Sequence, residues 1–140
     1  MTALSIHAPT RCVYPSRMDI EEIGRIVVDS GYRVHRALGP GLLEKVYLQV
    51  YARDLVRCGL SVEVQKPISF DFEGMWFENA CTADIVVERK VAIELKSVME
   101  LKPVHYKQLL TYMRLLGCPL GYLINFKTAL FKDGVKRLVL

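Results

Sequence analysis

The chain lacks any cysteine pair spaced for a metal or a disulfide framework. Its four cysteines are far apart in the sequence, at Cys12, Cys58, Cys81 and Cys118. Zinc sites use closely spaced pairs, and disulfide frameworks are typical of short secreted chains, so we expect idle thiols in a reducing cytosol. The same spacings give no support for an iron–sulfur cluster, which needs four cysteine ligands.

Long apolar runs are also missing. The N-terminal residues contain no continuous apolar core of signal-peptide length, and no later segment reaches the roughly 18 apolar residues of a membrane span. We therefore expect a soluble, cytoplasmic protein with no membrane partner.

Neither sign of charge dominates the sequence. The formal net charge is +4 over 140 residues, which is compatible with a polyanionic partner but does not establish one. A hydrophobic content of 51% suits one compact domain, which we place at residues 19–140. Residues 1–18 contain two prolines and no periodicity, so we expect a flexible arm there.

Hydrophobic periodicity predicts an α/β (α+β) fold in the order helix, helix, three strands, helix, strand, strand, with the helices packed on a mixed sheet. Trp76 and Phe77 are expected to serve core packing before base stacking. Pro67 is expected to break the first strand. The predicted helices cover 19–38, 42–58 and 103–116, and the predicted strands cover 61–72, 75–87, 91–98, 120–126 and part of 128–140.

Charge interrupts two consecutive apolar strands at Asp84, Glu94 and Lys96. The polar residues 88–90 form a hairpin-length loop, so the two strands should pair antiparallel with Asp84 directly opposite Glu94. Since side chains alternate between faces, these three charged groups share one face. The other face is apolar and consists of Ala83, Ile85, Val87, Val91, Ile93 and Leu95.

Two facing carboxylates repel each other unless a cation or a raised pKa relieves them. Mg²⁺ takes one or two carboxylates and otherwise keeps waters and substrate phosphate oxygens. Lys96 would then orient or help to deprotonate a metal-bound water, or neutralise charge on a phosphate. The alternative is that Glu94 and Lys96 are ordinary solvent-facing residues and that Asp84 ends its strand.

Two helices carry further polar candidates. Glu44 shares a face with Tyr47 at the border of the apolar stripe, where a carboxylate is either half-solvated or aimed into a cleft. His105, Gln108 and Tyr112 share a stripe that would lean over the carboxylates, and the last two would hydrogen-bond a water or a phosphate. The alternatives are an ordinary polar border on a surface helix and a helix-start histidine.

The spacing from Asp84 to Glu94-Leu95-Lys96 resembles the signature of the PD-(D/E)XK nuclease superfamily. Over residues 32–140 the chain is also similar to the small prokaryotic GxxExxY proteins, a branch of that superfamily. Five motifs in order carry this resemblance: GLLEKVY (41–47), AD (83–84), IELK (93–96), QLLTYMR (108–114) and LINF (123–126). The chain departs from the wider signature at Ala83, where proline is usual, and from many members of the branch at Thr82, where they carry arginine.

The resemblance implies a restriction-endonuclease-like core, a mixed sheet of about four to five strands flanked by helices. It implies Asp84 and Glu94 as metal ligands, with Lys96 in the water-activating position. It further implies that Glu44 enters the site from a helix and that Gln108 supplies a polar contact. We add the backbone carbonyl of Leu95 as a ligand, Glu44 as a holder of water or of a second metal, and Tyr47, His105 and Tyr112 as substrate-binding candidates.

The leading hypothesis is a Mg²⁺- or Mn²⁺-dependent phosphodiesterase that cleaves nucleic acid, with DNA favoured over RNA, and that pairs as a homodimer if it cuts two strands. A rival is a non-catalytic nucleic-acid or protein-binding module that kept the nuclease fold. A third alternative is that the metal only reinforces the fold.

Overall fold

A computed structural model describes residues 18–140 of the chain. The predicted arm therefore lies outside the described residues, apart from Met18. The nine elements are α1 (Ile20–Leu38), α2 (Glu44–Arg57), β1 (Val62–Phe72), β2 (Met75–Val87), β3 (Val91–Lys96), α3 (Pro103–Leu116), β4 (Leu120–Asn125), α4 (Phe131–Gly134) and β5 (Val135–Val139).

The strands form one mixed sheet in the order β1-β2-β3-β4-β5. Among the strands of residues 18–140, only β3 and β4 pair in parallel, and α3 is the crossover between them, as a parallel connection requires. The predicted fold class, a mixed sheet flanked by helices, is confirmed. The short helix α4 ahead of β5 was not predicted. Across residues 18–140, no helix combines the length and apolarity needed to cross a bilayer.

The sheet is covered on both faces, so its central strand β3 is almost fully buried. On one face α1 and α2 pack against alternate residues of the central strands, including Ile85, Ile93 and Ile124. On the other face α3 packs through Leu109 and Met113 on the intervening residues. Two apolar layers therefore hold β3 in place at the centre of the molecule.

Two predictions for the β1–β2 pair are wrong. Pro67 does not break β1 but pairs with Thr82 inside it, because β1 is an edge strand and needs no partner on its outer side. The irregularity lies instead between Ile68 and Phe70. Trp76 and Phe77 are exposed rather than in the core, because the β1–β2 ribbon extends beyond the short stretch of β2 that β3 covers.

Asn125 fastens the ends of the two parallel strands to each other. Its side chain is buried, donates to the carbonyl of Val98, and accepts from the backbone N–H groups of Val98 and Lys127. The N–H of Phe126 also donates to the carbonyl of Lys96 at 2.9 Å. The chain segments that leave β3 and β4 are thus fixed side by side.

Gly134 packs closely against Asn125 and Thr128. A Cβ at position 134 would sit 2.2 Å from the backbone oxygen of Asn125 and 2.6 Å from Oγ1 of Thr128. Because backbone cannot yield as a flexible side chain does, we expect Gly134→Ala to lower the free energy of unfolding in urea by about 2 kcal/mol. Gly41→Ala is the matched control, since nothing lies within 4 Å of a Cβ there. Equal stability of the two variants would contradict this packing.

Candidate functional site

The β2–β3 hairpin has the predicted register. Ile85 pairs with Ile93 and Val87 with Val91, so the loop is centred on residue 89. The next pair in this register would be Asp84 and Glu94, but the ladder stops one step short of it. The Oδ2 atom of Asp84 instead accepts the backbone N–H of Leu95 at 2.8 Å. The side chain of Asp84 thus takes the place of a strand-to-strand hydrogen bond.

The pairing of β1 with β2 is interrupted at the same level. Val64 pairs with Ile85 and Lys66 with Ala83, while Gln65, opposite Asp84, has a φ of 48°. The alternation of side chains along β2 changes at this level, and the predicted face of Ala83 is wrong. Ala83 packs in the α3 layer rather than with Ile85. Asp84 therefore lies at a break in the sheet on both of its sides.

Glu94 is buried in the centre of the sheet. Only 4% of its surface is exposed, and its carboxyl group lies against that of Asp84. Burial and the neighbouring Asp84 together raise the pKa of Glu94 to about 9, against a smaller lowering effect of Lys96. Glu94 therefore keeps its proton at neutral pH when no cation is bound.

Glu44 and Lys96 complete the charged group. Glu44 is the first residue of α2, and although the residue is exposed, its carboxyl is within electrostatic reach of Asp84 and Lys96. Partial burial of the carboxyl and the charge of Asp84 raise the pKa of Glu44, while Lys96 lowers it. The structure thus brings together Glu44, Asp84, Glu94 and Lys96 from three elements that the sequence separates.

Two polar side chains of α3, Gln108 and Tyr112, lie near the carboxylates. Nε2 of Gln108 donates to the hydroxyl of Tyr112 at 2.8 Å. Burial raises the pKa of Tyr112, and the charges of Glu94 and Asp84 act in the same direction. The structure therefore places this pair of side chains within electrostatic reach of the carboxylates. His105 has a different role, because its Nδ1 atom accepts the backbone N–H of Lys102 and caps the helix.

Tyr47 lies beneath the site rather than on its surface. Its side chain is fully buried, and its hydroxyl donates to the carbonyl of Gly39 and accepts the N–H of Leu42 at 3.1 Å. Its ring stacks on Phe126 with 4.5 Å between centroids. These contacts fix the loop that leads into Glu44.

Asn125 and Phe126 support the site, and neither role was predicted from the sequence. Their signal was present as a polar residue and an aromatic residue at the end of a continuous apolar strand, but that pattern is equally typical of an ordinary strand end.

Asp84 and Glu94 are the carboxyl groups that a divalent metal would meet in this site. Within residues 18–140, no group of three or more His, Cys, Asp or Glu side chains is arranged to hold a metal, whereas zinc commonly uses three or four such ligands. Mg²⁺ needs only one or two carboxylates and completes its shell with waters and phosphate oxygens. A cation beside Asp84 and Glu94 would relieve the repulsion that helps to raise the pKa of Glu94.

Comparison with known families gives one match over most of the chain. The model of the PD-(D/E)XK nuclease superfamily matches residues 21–138, a range that contains all the site residues described above. Comparison with curated proteins and with solved structures gives no significant match.

The raised pKa of Glu94 predicts a pH-dependent cost in stability. Because the folded state holds a proton that the unfolded state loses above its ordinary pKa of 4.5, stability should fall as the pH rises from there to about 9. The slope is at most about 1.4 kcal/mol per pH unit. Glu94→Gln removes this slope. In EDTA we therefore expect the free energy of unfolding of the variant, relative to that of the wild type, to rise from pH 5.5 to pH 8.5.

Urea unfolding at several pH values measures this difference. Glu73→Gln, at the exposed turn between β1 and β2, serves as the control and should follow the wild type. If the stabilities of Glu94→Gln and the wild type change in parallel across this range, Glu94 does not hold a proton in the folded state.

Proposed function

Because the chain belongs to the PD-(D/E)XK nuclease superfamily, we propose that it is a metal-dependent nuclease that hydrolyses phosphodiester bonds, with DNA as the favoured substrate. The observation that carries the proposal is the contact between the buried carboxyl of Glu94 and that of Asp84, with Lys96 beside them. A binding module would gain nothing from this repulsion, whereas a metal site uses it.

Asp84, Glu94 and the backbone carbonyl of Leu95 would hold Mg²⁺ or Mn²⁺. When bound, the metal polarises the scissile phosphate and lowers the pKa of the attacking water. Asp84 is already oriented for this task, because the N–H of Leu95 fixes one of its oxygens. Glu94 would supply the second negative charge to the metal after its carboxyl group loses its proton.

Lys96 and Glu44 act on the water and on the phosphate. In our proposal the ammonium group of Lys96 positions the water and neutralises charge that builds up on the phosphate. Glu44 holds that water, or a second metal, from the start of α2. The carboxyl of Glu44 is partly buried and lies near the charge of Asp84, and both effects raise its pKa. These surroundings support the assignment.

Of the remaining candidate residues, some would contact the substrate and others would hold the site in position. We assign Gln108 and Tyr112 to polar contacts with substrate, since their hydrogen-bonded pair leans over the carboxylates. We assign Tyr47 to positioning the Glu44 loop, because its buried ring and occupied hydroxyl leave no surface for a substrate. His105 caps α3 and would touch substrate only through its other ring nitrogen.

We also infer that the chain is a member of the GxxExxY branch and that residues 19–140 form a single nuclease domain. The branch assignment rests on Gly41, Glu44 and Tyr47 at the spacing of its name. The structure supplies a physical reason for that spacing. The glycine lies in an open loop, the carboxyl of the glutamate is within electrostatic reach of Asp84 and Lys96, and the tyrosine hydroxyl hydrogen-bonds the loop.

Lys96→Ala tests the catalytic assignment directly. We expect cleavage of plasmid and single-stranded DNA in Mn²⁺ to fall by at least about 100-fold, because the site loses the group that positions water and balances charge. Lys136→Ala on β5 is the control and should cleave as the wild type does. Far-ultraviolet circular dichroism checks that both variants fold. Normal cleavage by folded Lys96→Ala would refute the mechanism.

Calorimetric titration of Mn²⁺ tests the metal assignment separately. The wild type should bind the ion and release a proton, and Asp84→Ala should bind much more weakly because only one carboxylate of the pair remains. Absence of Mn²⁺ binding by the wild type, with nucleic acid present, would favour a binding module that has kept the fold.

Tyr47→Phe tests the support beneath Glu44. The variant keeps the ring stacked on Phe126 but loses the hydrogen bonds to Gly39 and Leu42. We expect the rate of cleavage to fall by about 10-fold or more, because small displacements of catalytic groups are costly. Mn²⁺ affinity should remain close to that of the wild type. A kcat equal to that of the wild type would exclude this positioning role.

A further inference from the structure

A cleft adjoins the charged site on the side of the α1–α2 loop. Its volume is about 400 Å³, and it lies between that loop and the segments that follow β3 and β4. It shares Glu44 with the site, and Ser97, which lines it, follows Lys96 directly in the chain. A molecule bound at the carboxylates would therefore extend into this cleft.

The wall of the cleft is a fixed loop. Tyr47 bonds to the loop at both Gly39 and Leu42, and Oγ of Ser97 donates to the carbonyl of Leu42 at 3.3 Å. These hydrogen bonds tie the loop both to the helix behind it and to the end of β3. The cleft is consequently a preformed feature of the fold.

Lys127 supplies the positive charge of the cleft, whereas Glu44, which the cleft shares with the site, is its acidic group. Its backbone N–H donates to Oδ1 of Asn125 at 3.2 Å, and the preceding ring of Phe126 stacks on Tyr47, so its Cα position is fixed. None of the ion pairs found among residues 18–140 includes Lys127. A lysine without a carboxylate partner is available to a ligand anion.

We propose that this cleft binds the phosphate of a neighbouring nucleotide in the same strand, with Lys127 as its charged contact. The proposal rests on the proposed nuclease function and specifies its substrate as a polynucleotide rather than a small phosphate ester. An ammonium group is a suitable point charge for phosphate, and the start of α2 adds positive potential nearby. The apolar side chains of Pro40 and Leu42 provide contact surface for the sugar.

Lys127→Gln is the test, with Lys132→Gln as its matched control. Lys132 is an exposed lysine on α4 that lines a different cavity, so its loss changes net charge equally. Binding of fluorescent single-stranded and duplex 20-mer DNA is measured by anisotropy in EDTA, where no cleavage occurs, from 50 to 200 mM salt. Lys127→Gln should weaken binding several-fold and reduce the salt slope for duplex by about one.

The two proposals fail in distinguishable ways. If Lys127→Gln binds DNA no more weakly than Lys132→Gln, the phosphate subsite is wrong, whether or not the wild type cleaves DNA. If Lys127→Gln alone weakens binding but the wild type cleaves neither DNA nor RNA in Mn²⁺, the subsite stands and the nuclease function fails.

Substrate length provides a second measurement where the wild type cleaves. For long DNA, Lys127→Gln should raise KM several-fold. For a dinucleotide whose only phosphate is the scissile one, the variant and the wild type should have equal KM values. An equal rise in KM for both substrates would mean that Lys127 acts elsewhere, and would overturn the subsite.

Discussion

The contact between the carboxyl groups of Asp84 and Glu94 is the constraint that the surrounding structure has to satisfy. Such a pair costs stability when it is buried, because the sheet removes it from water while the charges repel. The fold accommodates this cost where the β2–β3 ladder stops, at the point where Asp84 accepts the N–H of Leu95 in place of a regular strand partner. The apolar layers on both sides of β3 keep the strands in register around that break.

Aromatic and amide side chains behind the carboxylates hold the site together. Phe126 stacks on Tyr47, which ties the loop before α2, and Asn125 joins the segments that leave β3 and β4. These are neutral, well-packed groups, and they tolerate burial without a proton or a cation. The charged residues are therefore placed by a neutral scaffold, so that their own repulsion does not decide where they lie.

The sequence predicted the hairpin and the convergence of Asp84, Glu94 and Lys96, because a short loop fixes the register and a period of two fixes the faces. It did not predict the face of Ala83, because a period of two does not reveal the interruption of strand pairing at Asp84. The four residues of α4 are too few to show a helical period. Nor could sequence spacing reveal that the hydroxyl of Tyr47 is used inside the fold.

The direction of β3 and β4 explains why the chemistry gathers at one edge of the sheet. Parallel strands end on the same side, so Lys96 and its parallel partner Asn125 lie next to each other, and the residues that follow them, Ser97 and Lys127, line one cleft. An antiparallel pair would have sent Lys127 to the opposite edge. Since β1, β2 and β5 are antiparallel to their neighbours, this is the one place in the described sheet where two outgoing segments meet. An extended substrate anchored at the carboxylates would therefore be expected to continue along these two segments.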